Sequence, residues 1–459
     1  MNSKTGLYPL YVAYSIYVEK CKEYPDNALT IDKKNAIWRD TLANNIFVIC
    51  KTPMAKEITR RTLAGYKNYK VNAHYFEDLV NMLEHKQRQF IDKITRPNYW
   101  ERKDNKKMEF DAIVGNPPYQ LLLGNTTGNS SKAKAIYNIF LDGAINLNPN
   151  YISMIMPARW MTKSVEGISD KWVDDMINSN KFEILHDYLN SSDCFPAVDI
   201  KGGICYFLYN NEYNDKCSYY LHENDKCNFR KQFLNENNIG VVIRDYIAMN
   251  IIEKIEKVEK EYYSKIEKNF SYIVGPKDFF TTKHKLTSSW KGFKNEEDTE
   301  HIIKYYYSEK GKRDIGYISP KDIDKNIDAI KYNKVFIPAA GGTGNDQLIL
   351  GSPIISEGES ACSQTYLAIG YNNTLNKNEC INVTTYLKTK FLRYLVSILK
   401  KTQNGPKKVY QFVPMQDFTN QSDIDWNKNV EDIDKQLYKK YKLNEEEIKY
   451  IENKIKYAE

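Results

Sequence analysis

The first half of the chain alternates short apolar runs with amphipathic stretches. Four runs rich in β-branched or aromatic residues predict strands, at residues 45–50, 110–114, 151–156 and 204–208. Before and between these strands, apolar residues recur at helical spacing and predict helices that include residues 9–20, 55–63 and 135–147. This alternation is typical of an α/β domain built on a mainly parallel sheet.

The second half follows a different pattern. Apolar residues at helical spacing among many charges predict a connecting helix at residues 251–270. Glycine-punctuated β-type runs follow at residues 315–318, 334–338, 347–350 and 366–369, and then a basic helix at 386–401. The predicted organisation is an α/β domain at 1–250, a connecting helix at 251–274, an α+β domain at 275–430 and a helical segment at 431–459.

Length, charge and composition limit the class of protein but do not identify its function. At 459 residues the chain is long enough for two or three domains, and its net charge of +7 is compatible with a polyanionic partner. No two of the cysteines have the Cys-x-x-Cys spacing of a zinc site, and no apolar run is long enough to cross a membrane. We expect a cytoplasmic protein with reduced thiols and no bound metal.

The most informative motif directly follows the predicted strand at 110–114 and consists of Asn116, Pro117, Pro118 and Tyr119. The amino nitrogen of adenine is a poor nucleophile, because its lone pair is delocalised into the ring. A site that methylates it must accept hydrogen bonds from the amino hydrogens and hold the base against an aromatic face. Asn116 offers a side-chain carbonyl, the prolines fix a turn without N–H donors, and Tyr119 offers a stacking surface. We predict that these four residues, the NPPY turn, are catalytic.

With this motif the chain resembles the adenine-specific DNA methyltransferases of restriction–modification systems. Residues 195–207 (FPAVDIKGGICYF) and 407–418 (KKVYQFVPMQDF) also carry the resemblance. It implies a Rossmann-like methyltransferase domain followed by an α+β target-recognition domain, with S-adenosyl-L-methionine as cofactor and double-stranded DNA as substrate. A nuclease or helicase subunit of the same system is the partner that it implies.

The resemblance also assigns cofactor residues, at positions where the family's pattern is incomplete. Lys4 and Gly6 belong to a stretch that resembles the second half of the family's first motif, and the strand that should precede it is missing. Cys50 stands where a carboxylate usually binds the ribose hydroxyls. Asp78 lies near the position of a polar contact to the cofactor's adenine, and Asp111 completes the candidate set.

A lysine-framed turn in the second half is the candidate DNA contact. Lys407 and Lys408 are of the type that contacts phosphates, whereas Gln403 and Asn404 can reach base edges.

Two other functions stay open. The incomplete cofactor motif also fits a DNA-binding specificity subunit, or a split-gene fragment, that needs an upstream partner for catalysis. A restriction nuclease is disfavoured, because Asp199 and Lys201 lack the further carboxylates that such a site requires.

Overall fold

The four apolar runs of the first half all form strands in the computed structural model of the protein. The structure describes residues 6–103, 106–122, 133–163, 165–196, 199–223, 225–236, 239–262, 265–281, 284–309, 312–341, 349–372, 375–400 and 404–456. The chain divides into a first unit of residues 1–236 and 240–244 and a second unit of residues 237–239 and 245–459. The four-part organisation given above stays a prediction.

The first unit is built from helices and strands that alternate along the chain. In order they are α1 (Leu7–Lys22), α2 (Ile31–Asn44), β1 (Phe47–Cys50), α3 (Pro53–Ala64), β2 (Asn72–Tyr75), α4 (Leu79–His85), α5 (Gln87–Ile94), β3 (Ala112–Gly115), β4 (Gln120–Leu122), β5 (Ala133–Ala135), α6 (Tyr137–Ile145), β6 (Tyr151–Pro157), α7 (Asp170–Asn178), β7 (Phe182–Tyr188), β8 (Ile204–Asn210), β9 (Cys217–Glu223) and β10 (Lys226–Gln232). Six strands form one sheet in the order β10-β9-β7-β8-β6-β3, while β1 pairs with β2 and β4 with β5.

The large sheet is mixed, so the prediction of a mainly parallel sheet is wrong. β3 is parallel to β6, and β7 is parallel to β9. β8 runs antiparallel to both of its neighbours, β6 and β7, and β10 is antiparallel to β9. For β9 and β10 the reason is the length of the connection, since they are joined by a hairpin that is too short for a parallel crossover. The α/β class of the first unit is nevertheless confirmed.

One face of this sheet supplies one of the hydrophobic clusters of the first unit. Met154, Leu185 and Phe207 are buried there together with Val173 and Ile177 from α7. Each such side chain stabilises the fold by roughly 1.5–3 kcal/mol on burial. This core fixes the positions of β3 and β6, whose ends lead into the polar segments described below.

The second unit combines two small sheets with helices, as the α+β prediction requires. Its elements are α8 (Tyr246–Glu259), β11 (Ile303–Glu309), β12 (Lys312–Ile318), β13 (Lys334–Pro338), β14 (Ile354–Ser356), β15 (Ser360–Cys362), β16 (Tyr366–Ile369), α9 (Lys377–Lys388), α10 (Lys390–Leu399), α11 (Val430–Lys440) and α12 (Glu445–Lys454). β11 lies between β12 and β15, and β13 lies between β14 and β16. Across the described part of the chain, no helix has both the length and the apolar character needed to span a membrane.

The predicted connecting helix at 251–270 is shorter than expected and begins earlier. α8 begins at Tyr246, where the Asp245 carboxylate accepts a hydrogen bond from the Ala248 amide at 2.9 Å, and it ends at Glu259. The chain then turns because Lys260 and Glu261 adopt positive φ angles of 45° and 60°. A helical pattern of apolar residues therefore continues in the sequence beyond the point where the backbone leaves the helix.

The predicted basic helix at 386–401 is also wrong in its extent, because the chain breaks at Thr389 into α9 and α10. The Thr389 hydroxyl accepts a hydrogen bond from the Leu392 amide at 3.2 Å, which starts a new helix. The Asp434 carboxylate accepts two more amide hydrogen bonds, from Lys390 and Phe391, at 2.9 Å each. Of the predicted strand at 347–350, residues 349 and 350 are not in a strand and the other two lie outside the described residues.

Candidate active site

The NPPY turn lies directly after β3, at the end of the strand that pairs in parallel with β6. Pro117 is buried, whereas Asn116, Pro118 and Tyr119 are half-buried. The ring of Tyr119 packs against the core of the first unit, and its backbone carbonyl accepts a hydrogen bond from the Ile136 amide at 3.2 Å. The turn is therefore held in place at both ends, by β3 and by this contact.

Asn116 and Tyr119 also interact with each other. Burial raises the pKa of Tyr119 to about 12, with smaller contributions from Cys205, Tyr8 and Cys194, and a hydrogen bond with the Asn116 side chain partly offsets this rise. The Asn116 side chain therefore lies within hydrogen-bonding reach of the Tyr119 hydroxyl. The Tyr119 phenol is neutral at physiological pH.

A cavity of about 810 Å³ opens beside this turn. Its wall brings together the beginning of α1, the residues around β1, the residues around β3 and two residues of the segment before β8. The lining residues are Gly6, Leu7, Tyr8, Pro9, Val12, Asn45, Ile46, Phe47, Val48, Lys51, Thr52, Ala55, Phe110, Ala112, Val114, Gly115, Asn116, Pro117, Pro118, Tyr119, Phe195 and Ile200. The volume lies within the range of about 300–1,000 Å³ that is usual for sites of small molecules and cofactors.

Gly6 is the candidate cofactor residue that the structure places in this cavity. It precedes α1 with a φ of 78°, and a β-carbon there would lie 2.8 Å from Cβ of Thr62 and 2.9 Å from Cα of Thr59. Only glycine combines that backbone conformation with so close an approach. Lys4 lies outside the described residues.

The other candidate cofactor residues are not among the residues that line the cavity. Cys50 is buried, its sulfur lies 3.8 Å from Oγ1 of Thr59, and burial raises the pKa of its thiol. Lys51 lines the cavity instead. Asp78 accepts a hydrogen bond from the Asn81 side chain at 2.7 Å, and the exposed Asp111 accepts one from the Tyr151 amide through its backbone carbonyl at 3.0 Å.

The candidate DNA-binding residues lie in the second unit. Asn404 is exposed and forms a bridge with Ala340, while Lys407 and Lys408 begin a short 3₁₀ helix. Burial lowers the pKa of Lys407. Gln403 lies outside the described residues. In the described part of the chain, no cluster of three or more His, Cys, Asp or Glu side chains could hold a metal ion.

Phe195 and Ile200 are wall residues that the sequence analysis did not single out. The motif that contains them, residues 195–207, was the available signal. Ile200 lies between Asp199 and Lys201, which are exposed. Trp160 follows β6 but is fully buried in the core, where its ring lies 5.8 Å from that of Phe182.

Known proteins resemble parts of the chain. Residues 44–195 match the family model described as Eco57I restriction-modification methylase. A curated relative from Mycoplasma pneumoniae (strain ATCC 29342 / M129 / Subtype 1), named "Uncharacterized adenine-specific methylase", is 35% identical over 160 residues. That stretch covers 35% of this chain and 37% of the relative.

Solved structures of restriction enzymes resemble a larger part of the chain at low identity. The type IIG restriction endonuclease BpuSI is 13% identical with a TM-score of 0.35, and the match covers 94% of this chain and 60% of that one. The ATP-dependent type ISP restriction-modification enzyme LlaBIII bound to DNA is 10% identical with a TM-score of 0.41, covering 88% of this chain and 35% of that one. Each match thus spans less than two thirds of the known protein, and similarities this low carry no conclusion about function. The NPPY turn lies within residues 44–195, and for this part of the chain the predicted resemblance to restriction–modification adenine methylases is confirmed.

Proposed function

We propose that the protein is a site-specific DNA adenine-N6 methyltransferase that uses S-adenosyl-L-methionine and belongs to a cytoplasmic restriction–modification system. The observation that carries this proposal is the single cavity that contains both the NPPY turn and Gly6 at the beginning of α1. A methyltransferase must hold the accepting base and the methyl donor next to each other, and one cavity lined by both candidate groups satisfies that requirement. The match of residues 44–195 to a restriction-modification methylase model supports the same function.

The NPPY turn supplies the groups that an adenine needs. Oδ1 of Asn116 accepts a hydrogen bond from the exocyclic amino group, and the proline-rich backbone adds carbonyl acceptors without competing N–H donors. As the amine becomes pyramidal its hydrogens become more acidic, so these acceptors bind the transition state more tightly than the ground state. The ring of Tyr119 holds the flipped base. Because its pKa is about 12, the phenol acts by stacking and does not serve as a base.

The other lining residues fit the cofactor in part. Gly6 allows close approach of the backbone, and the N-terminus of α1 favours a carboxylate such as that of the methionine moiety. Lys51 and Thr52 add polar groups beside β1. S-adenosylmethionine supplies an electrophilic methyl group when it is bound. These residues would hold it, while the apolar neighbours Phe47 and Val48 exclude water.

The second unit is proposed to read the DNA. Lys407 and Lys408 are suited to phosphates, and Asn404, which is exposed, is suited to a base edge. A nuclease or helicase subunit of the same system is the proposed protein partner.

One observation favours a second candidate function. The residues that line the cavity include neither Asp nor Glu, so the described wall offers no carboxylate to the two ribose hydroxyls of the cofactor. A chain of this kind would position the DNA base and depend on another polypeptide for tight cofactor binding.

Transfer of labelled methyl groups from S-adenosylmethionine to unmethylated duplex DNA tests the first function. Calorimetry separates it from the second. Binding of S-adenosylmethionine at micromolar or lower Kd by the isolated chain supports an independent enzyme. Absence of binding, together with retained DNA binding, supports the dependent form.

A further inference from the structure

The segment that supplies Phe195 and Ile200 to the cavity ends in a turn with two consecutive glycines. Gly202 and Gly203 have φ angles of 88° and 77°, and a β-carbon on Gly203 would lie 2.0 Å from the Tyr188 carbonyl oxygen. We call residues 200–203 the diglycine turn. The turn is packed tightly on the end of β7, and its first residue, Ile200, lines the cavity.

Hydrogen bonds hold this segment at three of its described residues. The Phe195 amide donates to the Ser191 carbonyl at 2.8 Å, and the Ile200 amide donates to the Ser191 hydroxyl at 2.7 Å. The Gly203 amide donates to the Ile200 carbonyl at 2.9 Å. These bonds tie both wall residues to Ser191 and tie Ile200 to the diglycine turn.

A buried ion pair holds the turn from the other side. Asp187 in β7 is fully buried, and Arg244 binds both of its carboxylate oxygens, through Nε and Nη2 at 2.6 Å each. The remaining amino group of Arg244, Nη1, donates to the Gly202 carbonyl at 2.7 Å. The Tyr219 hydroxyl donates to Asp187 at 2.6 Å. One planar guanidinium thus joins the carboxylate in the sheet to the backbone of the turn.

Stability alone does not account for this arrangement. A buried ion pair is often no more stabilising than well-packed apolar residues of the same volume, because both charges must be taken out of water. The distinctive contribution of arginine is its fixed fork of donors, which can bind a carboxylate and a carbonyl at defined angles. That property matters where the position of a backbone segment has to be set within a fraction of an ångström.

We propose that Arg244 is a positioning residue for the proposed methyl transfer: oriented by Asp187, it fixes the diglycine turn and thereby the wall residues Phe195 and Ile200 of the cavity that contains the NPPY turn. Arg244 does not touch the base or the cofactor. It acts through the Gly202 carbonyl, and its effect on the reaction rests on the function proposed above.

A comparison of Arg244→Lys with Tyr219→Phe tests the proposal. Lysine keeps a positive charge beside Asp187, but its single ammonium cannot reproduce two bonds to the carboxylate and a third to Gly202. Tyr219→Phe is the matched control, because it removes one hydrogen bond to the same carboxylate and leaves the turn untouched. We expect Arg244→Lys to lower kcat for methylation of unmethylated duplex DNA at least tenfold, with the Kd for DNA changed less than threefold. Tyr219→Phe should keep kcat within twofold at a similar melting temperature.

Hydrogen exchange gives a readout that does not depend on activity. In Arg244→Lys the amides of Phe195, Ile200 and Gly203 should exchange at least tenfold faster, whereas Tyr219→Phe should leave them unchanged. If the wild type transfers no methyl group but the two variants differ in exchange in this way, the proposed function fails while the positioning role of Arg244 stands. Equal exchange in the two variants, or kcat losses that simply follow the melting temperature, would overturn the proposal.

A third variant covers the case in which Arg244→Lys does not fold. Asp187→Leu, Arg244→Met and Tyr219→Phe together remove both charges and the hydroxyl, so that no polar group is left buried without its partner. A cooperative melt combined with a loss of kcat and faster exchange at Gly203 supports the positioning role. A cooperative melt with wild-type kcat contradicts it.

Discussion

Replacement of Gly6 by alanine tests the cofactor half of the cavity, and Gly65 offers a matched control. Both glycines have a positive φ, 78° at Gly6 and 53° at Gly65. A β-carbon at Gly6 would lie 2.8 Å from Thr62 Cβ and 2.9 Å from Thr59 Cα, whereas one at Gly65 would meet nothing within 4 Å. The two substitutions therefore share the conformational cost and differ in the steric one.

The expected magnitudes follow from these distances. Alanine in the left-handed region costs about 1–2 kcal/mol at either position. The overlap at Gly6 adds roughly 1–3 kcal/mol, because the backbone of α3 at Thr59 cannot move away as a flexible side chain would. The first turn of α1 can relieve that strain by shifting, and a shift there displaces the cavity wall formed by Gly6 and Leu7.

Two measurements separate the contributions, the melting temperature and the KM for S-adenosylmethionine in methyl transfer. Gly65→Ala should lower the melting temperature slightly and leave this KM within twofold of wild type. Gly6→Ala should raise the KM at least fivefold. Equal KM values for the two variants would refute the assignment of Gly6 to the cofactor wall.

Three further predictions concern the base, the DNA and the second unit. Tyr119→Ala should lower kcat/KM for methyl transfer by about 5- to 150-fold, which corresponds to a stacking energy of roughly 1–3 kcal/mol. Tyr119→Phe should lower kcat/KM only a few-fold. Equal decreases would show that the hydroxyl matters more than the ring. Replacing Lys407 and Lys408 by glutamine should weaken binding to all DNA sequences. The slope of the logarithm of the binding constant against the logarithm of salt concentration should decrease in magnitude by about 0.9 for each phosphate that is no longer neutralised. An unchanged slope would exclude phosphate binding by these lysines. Burial lowers the pKa of Lys334 to about 8, so above that pH the folded chain has released a proton that the unfolded chain still binds up to its ordinary pKa. Denaturant titrations should therefore show the stability of the wild type, relative to Lys334→Met, rising with pH through this window, and a constant difference would contradict the shift.

The NPPY turn could be predicted because two independent signals coincide there. An apolar run predicts the strand before the turn, and an unusual combination of asparagine, prolines and tyrosine follows it at once. The structure brings the turn and Gly6 to the same cavity although they are more than a hundred residues apart in sequence. The local sequence pattern was sufficient to single out the NPPY turn, whereas Gly6 was assigned through the family resemblance.

Other features depend on interactions that no local pattern encodes. The apolar spacing in residues 251–270 continues past Glu259, but positive φ angles at Lys260 and Glu261 end α8 there. β8 pairs antiparallel with β6 and β7, and the ion pair beside it joins Asp187 to Arg244, which is distant in sequence. Phe195 and Ile200 line the cavity together with residues that are distant in sequence, and for this reason the sequence analysis missed them.

The most direct test of the proposed methyl transfer is a paired measurement on Asn116→Ala. Purified wild type and variant are incubated with S-adenosylmethionine and unmethylated duplex DNA, the DNA is digested to nucleosides, and N6-methyldeoxyadenosine is quantified by mass spectrometry. Binding to the same DNA is measured in parallel. We predict N6-methylated adenine with the wild type, none with Asn116→Ala, and DNA affinities within a few-fold of each other. Methylation by Asn116→Ala at the wild-type rate would contradict the assignment of the NPPY turn as the catalytic site.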